Sequence, residues 1–152
     1  MHLSDHLTPS RVLIAPPVAG REELFLLFAE VFHEAGVVSS PKVVSSRLLE
    51  REGILSTGIG AGVAIPHAQI NGLGRLAMAA SVHPDSLDYP ALDDEPVRLV
   101  FCLLGDSSTS ADHLAGLARL ARLARRVNAL DELIACRSGE DFVETLRRIE
   151  GV

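Results

Sequence analysis

Val97-Arg-Leu-Val-Phe-Cys-Leu-Leu104 is an eight-residue, mostly apolar run closed by Gly105, the pattern of a strand buried on both faces of its sheet. Leu76–Val82 is a second such run, seven residues long, and PDSLDYPALDDEP (84–96) forms a proline- and aspartate-rich connection between the two. Arg11–Ile14 predicts a third, short strand ended by Pro16 and Pro17. Helical periodicity surrounds these strands. From Arg21 to Ala35, Leu24, Leu27, Phe28, Val31 and Phe32 recur at three and four, with Glu22 and Glu23 in the first turn and Gly36 at the end. Ser40 and Pro41 start a second helix whose periodic residues Val43, Val44 and Leu48 lead to Arg51, with Gly53 as its stop. Arg47 and Arg51 then share one face. After the loop DSSTS (106–110), Leu114, Leu117, Ala121, Ala124 and Val127 predict one long helix with Arg119, Arg122 and Arg126 on its solvated side. A last helix is predicted from Gly139 to Ile149, with Ser138 as cap and Asp141 three residues on. The expectation is a single α/β domain over residues 1–152, a mixed sheet flanked by helices.

Composition excludes several functions. The chain of 152 residues carries 20 acidic and 14 basic groups, a net charge of −6 that opposes nucleic acid. No apolar run approaches the roughly 20 residues that span a bilayer, so membrane insertion is not expected. The opening MHLSDHLTPSRV lacks the charged start and apolar core of a secretory leader, which predicts a cytoplasmic location. Thirteen arginines accompany a single lysine, Lys42, and no Gly-Lys-Ser/Thr loop occurs. Trp is absent and Tyr89 is the one tyrosine, leaving few platforms for stacking bases or sugars. Cys102 and Cys136 each lie in an apolar stretch and read as buried, inert thiols.

Arg51-Glu-Gly-Ile-Leu-Ser-Thr57-Gly58-Ile-Gly60-Ala-Gly62-Val-Ala-Ile-Pro66-His67 does not read as ordinary core or loop. Glycines at every second position permit positive φ and close approach, so their amides could converge on an anion. The segment Val63–Ile65 reads as a strand stopped by Pro66, which delivers His67 at a strand end facing a cleft. The plainer reading is a histidine satisfied there by a backbone carbonyl. An imidazole that accepts a phosphoryl group must be neutral at cellular pH, and it needs donors for the oxygens of a loose transition state. Arg51, the Thr57 hydroxyl and the amides of Gly58, Gly60 and Gly62 are candidate donors. His113 adds a second imidazole in the first turn of the predicted long helix, where the dipole favours an anion and keeps the ring neutral.

These residues, STGIGAGVAIPH preceded by Arg-Glu and followed 46 residues after His67 by HLAGLARLARLAR, resemble the IIA domain of the phosphoenolpyruvate-dependent sugar phosphotransferase system. The branch is the fructose/mannitol type, which includes nitrogen-regulatory IIA-like proteins, and the likeness extends over nearly the whole chain. It implies a mixed sheet flanked by helices and a phosphocarrier without cofactor or metal. It implies that His67 takes the phosphoryl group from the phosphohistidine of HPr or a nitrogen-branch counterpart and passes it to a IIB partner or uses it in regulation. His113 matches the second active-site histidine, Arg51 the active-site arginine, and Thr57 belongs to the loop beside it. The family usually has asparagine at Ala61 and glycine at Ala68. The first change would remove a loop-fixing amide, and the second would constrain the docking surface.

A length with no IIB, IIC or HPr segment tilts the expectation toward a separate subunit or regulator. His2, Asp5 and His6 have helical i, i+4 spacing for a metal, but a frayed terminus is the expected reading. His33 is expected at the edge of its helix's core face and His83 in a turn before Pro84.

Overall fold

The computed structural model describes residues 1–152. Its elements run β1 (Val12–Ile14), α1 (Arg21–Glu34), α2 (Pro41–Glu52), β2 (Gly58–Gly60), β3 (Val63–Ala64), β4 (His67–Gln69), β5 (Ala77–Leu87), β6 (Val97–Gly105), α3 (Ser110–Leu123), α4 (Val127–Ile134) and α5 (Gly139–Glu150). The mixed six-stranded sheet has the order β1-β5-β6-β3-β2, with β4 also paired to β6. β5 and β6 are antiparallel, as are β2 and β3, whereas β1 runs parallel to β5 and both β3 and β4 run parallel to β6.

Alternation along β6 fixes the layers. Leu99, Phe101 and Leu103 enter one core with Leu120 and Leu123 of α3, Leu130 and Leu133 of α4, and Phe142 and Leu146 of α5. Val100, Cys102 and Leu104 enter the other, with Phe25, Phe28 and Phe32 of α1 and Val44 and Leu48 of α2. The small Ala77 and Ala79 of β5 lie in that second core and leave room for the phenylalanines. Each fully buried phenylalanine stabilises the fold by about 1.5–3 kcal/mol. Cys102 and Cys136 are both buried free thiols, as their flanking sequence predicts. No helix is long and apolar enough to cross a membrane.

The caps follow the sequence closely. Ser40 Oγ accepts the Val43 amide at 3.4 Å, and Ser138 Oγ accepts that of Asp141 at 3.1 Å. Five expectations need correction. The buried face of α1 is Leu24, Phe25, Phe28, Ala29 and Phe32, with Leu27 and Val31 at its margin, and Val43 of α2 is exposed. The predicted long helix is two, α3 ending at Leu123 and α4 starting at Val127. The core face of α3 is His113, Gly116, Leu120 and Leu123, so Leu114 is turned outward. β5 continues through His83 and Pro84 to Leu87, where a register shift absorbs the proline and pairing with Val97 resumes.

Two outlying histidines have plain roles. His33 is exposed and its Nδ1–H donates to Val38 O at 3.1 Å, closing the chain after α1. Leu3–His6 form a 3₁₀ turn preceded by His2, whose ring lies 3.9 Å from Glu150. A 3₁₀ pitch separates positions four apart by a third of a turn, so His2 and His6 do not share a face.

His83 is buried in β5 with its Nε2 2.7 Å from Ser81 Oγ, and burial pushes its pKa down to about 4. The folded protein therefore disfavours the charged ring: the stabilisation is complete above the unfolded value near 6.5 and disappears as pH falls toward 4. Melting temperature measured across this interval is expected to fall more steeply in wild type than in His83→Gln, with up to about 3 kcal/mol at stake. Parallel curves would remove His83 as the cause.

Candidate functional site

The site is laid out along the edge of β6. On that side β3 pairs Val63 and Ala64 with Leu99 and Val100, and β4 pairs His67 and Ala68 with Leu103 and Leu104. Pro66 sits in the gap, has no N–H to offer, and uses its carbonyl to accept the Leu103 amide at 3.0 Å. Pairing resumes at His67. Ala68 is buried in the α1/α2 core, and alternation turns His67 to the opposite face.

His113 reaches the same place from the end of β6. Asp106 Oδ1 accepts the Ser108 amide at 2.9 Å and Asp106 N–H donates to Thr109 Oγ1 at 2.9 Å, so DSSTS is a capped 3₁₀ turn rather than an open loop. That turn sets the start of α3, and His113 lies in its first turns with 9% of its surface exposed. The rings of His67 and His113 are 5.4 Å apart between centroids, edge to face. Both line a cavity of about 410 Å³ with Arg47 and Arg51 from α2 and with Ile54 beyond its end.

His67 Nδ1 lies 2.7 Å from Ile65 O. A carbonyl only accepts, so Nδ1 carries the proton and Nε2 keeps its lone pair. The plainer reading of His67 and the chemical one are thus one geometry: the backbone bond selects the tautomer that leaves a nucleophilic nitrogen. Burial lowers the pKa of His67, with the Ile65 carbonyl opposing, Arg51 reinforcing and Glu52 opposing. Burial, then the His67 ring, lowers that of His113. Both rings are neutral at pH 7. Arg51 donates Nη1–H to Leu55 O at 2.8 Å, which steadies its guanidinium beside the cavity.

The structure brings Arg51, His67 and His113 together, and it places the other four predicted residues elsewhere. Gly58, Gly60 and Gly62 belong to the β2–β3 hairpin and do not line the cavity. Gly60, Ala61 and Gly62 all have positive φ, at 96°, 57° and 79°, and the Ala61 amide donates to Asp93 Oδ2 at 3.0 Å. Gly58 is a close approach, since a Cβ there would come within 2.5 Å of Pro90 O. Thr57 is buried, its hydroxyl engaged with the Glu52 carboxylate and Tyr89. Glu52 is the residue that the sequence reading passed over. It follows Val44 and Leu48 at four-residue spacing, which assigns its carboxylate to the buried face of α2.

Comparison with known proteins gives a consistent picture. The family model described as "Phosphoenolpyruvate-dependent sugar phosphotransferase system, EIIA 2" matches residues 5–149. The chain is 33% identical to a nitrogen regulatory protein of Bradyrhizobium diazoefficiens over 96% of this chain and 95% of that protein. It is 28% identical to a fructose-specific EIIA component of Haloferax volcanii over 94% of each. The crystal structure of nitrogen regulatory protein IIA-Ntr from Neisseria meningitidis superposes with a TM-score of 0.87 at 27% identity, over 95% of this chain and 98% of that one.

Both departures from the family pattern have a backbone explanation. Ala68 has an ordinary extended backbone that needs no glycine, and its methyl group is buried. Ala61 occupies a left-handed conformation that asparagine adopts more readily than alanine, at a cost of about 1 kcal/mol. Ala61→Asn is expected to stabilise the protein by about 0.5–1 kcal/mol in chemical denaturation. An unchanged or lowered midpoint would show that this turn is not strained.

Proposed function

The chain belongs to the EIIA type-2 family, phosphocarriers of the phosphoenolpyruvate-dependent phosphotransferase system, and from that premise we propose that His67 Nε2 is its phosphoryl acceptor. The observation that carries this reading is the Nδ1–H bond from His67 to Ile65 O, which leaves Nε2 unprotonated beside a second imidazole and an arginine. The donor is the phosphohistidine of an HPr-like protein. Its N–P bond breaks with the electron pair remaining on the donor ring, and the Nε2 lone pair of His67 forms the new bond. The proton on Nδ1 stays in place, so the phosphorylated ring becomes an imidazolium whose N–H is held by the Ile65 carbonyl. Arg51 supplies positive charge to the phosphoryl oxygens, and His113 supplies a ring N–H. Running the same step in reverse toward another protein delivers the group to a IIB partner.

Protein partners rather than a small substrate suit the surroundings. Ile54 on the cavity rim is 79% exposed and Leu114, next to His113, is 70% exposed, which gives a docking protein apolar contacts beside the reacting nitrogen. Regulatory output is a second reading, in which phosphorylation at His67 selects a binding partner. The similarity to nitrogen regulatory proteins supports it, and the similarity to a fructose-specific component supports delivery to IIB.

Incubation with phosphoenolpyruvate, enzyme I and HPr is expected to give one acid-labile phosphate, mapped by mass spectrometry to His67. His67→Ala should take none, and His113→Ala should be slowed about 10²–10³-fold. Equal labelling of wild type and His67→Ala would sink the assignment. For the regulatory reading, affinity capture on phosphorylated wild type and on His67→Ala is expected to retain at least one protein on only one of the two. Identical sets would count against it.

A further inference from the structure

We propose that Glu52 is a positioning residue for phosphoryl acceptance at His67, acting through Thr57 and the backbone of Ile65; the inference rests on the reading of His67 given above. Glu52 is 5% exposed at the end of α2. Its carboxylate accepts the Thr57 amide at 3.2 Å and the hydroxyls of Thr57 and Tyr89, and Arg21 Nη1 lies 3.5 Å away. Burial, then the Glu52 charge, raises the Tyr89 phenol well above its ordinary range, so that hydroxyl remains a donor. A buried carboxylate is costly unless its lone pairs are filled, and here one side chain gathers three donors and a cation from three other segments of the chain.

The network leads to the imidazole in two backbone steps. Thr57 O accepts the Ile65 amide at 2.9 Å, and Ile65 O accepts His67 Nδ1–H at 2.7 Å. Fixing Thr57 therefore fixes the carbonyl that selects the His67 tautomer. The same carboxylate acts through space: of the two charges that His67 feels, Arg51 disfavours a positive ring and Glu52 favours it. The ring becomes positive when Nε2 takes the phosphoryl group and Nδ1 keeps its proton, so Glu52 opposes Arg51 at the nitrogen while leaving Arg51 free for the oxygens. Arg47 and His113 are the other ionisable groups around this ring, with Glu50 on the rim.

Three variants of the full chain test this: Glu52→Gln, which keeps shape and loses charge, Glu52→Asp, which keeps charge at shorter reach, and Thr57→Val. Imidazole ¹⁵N spectra report the His67 tautomer, circular dichroism reports folding, and transfer from phospho-HPr reports rate. Wild type is expected in the Nδ1–H form. In folded Glu52→Gln the Nε2–H form should appear, the His67 titration should move down, and transfer should slow about 10- to 100-fold, with partial rescue in Glu52→Asp. If Glu52→Gln does not fold, Thr57→Val decides on the same spectra and rates. A wild-type tautomer with a rate within twofold, in whichever folded variant decides, overturns the role of Glu52. Failure of wild type to take a phosphoryl group overturns instead the reading of His67, and the spectra still decide whether Glu52 orients the ring.

Discussion

Strand β6 is the constraint that the other elements satisfy. Apart from Arg98 every residue from Val97 to Gly105 is buried, so both faces must be covered by apolar side chains and both edges must be hydrogen-bonded. β5 fills one edge over most of its length. The other edge is filled in two pieces, because Pro66 has no amide to contribute and serves β6 only as an acceptor. His67 stands where pairing restarts, opposite Leu103, and His113 stands on the helix into which β6 runs. Two imidazoles separated by 46 residues are thereby held at one strand, His67 by pairing with β6 and His113 by the Asp106-capped turn that leads from β6 into α3.

Electrostatics at this edge are a balance of opposing effects. Burial disfavours charge on both rings, and the His67 ring further discourages protonation of His113. The Ile65 carbonyl and the Glu52 carboxylate act in the opposite sense on His67, while Arg51 sides with burial. Burial wins in the resting protein, so the ring is neutral and nucleophilic at pH 7. In the proposed transfer the ring would carry charge, and the Ile65 carbonyl and the Glu52 carboxylate are the groups here that favour it.

How much of this could be read in advance differs from element to element. The buried strands, the Ser40 and Ser138 caps and the mixed α/β architecture are visible because hydrophobic runs and capping residues act locally. His67, His113 and Arg51 were legible from their motif, despite the departures at Ala61 and Ala68, and they line one cavity. The break between α3 and α4 was not visible, since Ala121, Ala124 and Val127 prolong the helical period while the backbone leaves it after Leu123. The continuation of β5 past Pro84 was not visible either, because a proline at a register shift gives the same local signal as one ending a strand. Glu52 was readable in principle from the Val44–Leu48–Glu52 spacing, but a carboxylate on a core stripe is recognised only when its partners are known. Those partners, Thr57, Tyr89 and Arg21, lie up to 37 residues away.

The glycine-rich segment shows best why spacing alone misleads. Alternate glycines suit an anion-cradling loop, but they also suit a hairpin with three successive left-handed residues packed against the 90–93 connection. The chain takes the second solution, and the Ala61 amide is committed to Asp93. In the proposed function, recognition of a phosphoryl group then falls to side chains, Arg51 and the two imidazoles, rather than to a preformed nest of amides. That division fits a carrier. A nest holds a phosphate that stays, whereas a few side-chain donors at the mouth of an open cavity would leave the proposed phosphoryl group within reach of the next protein.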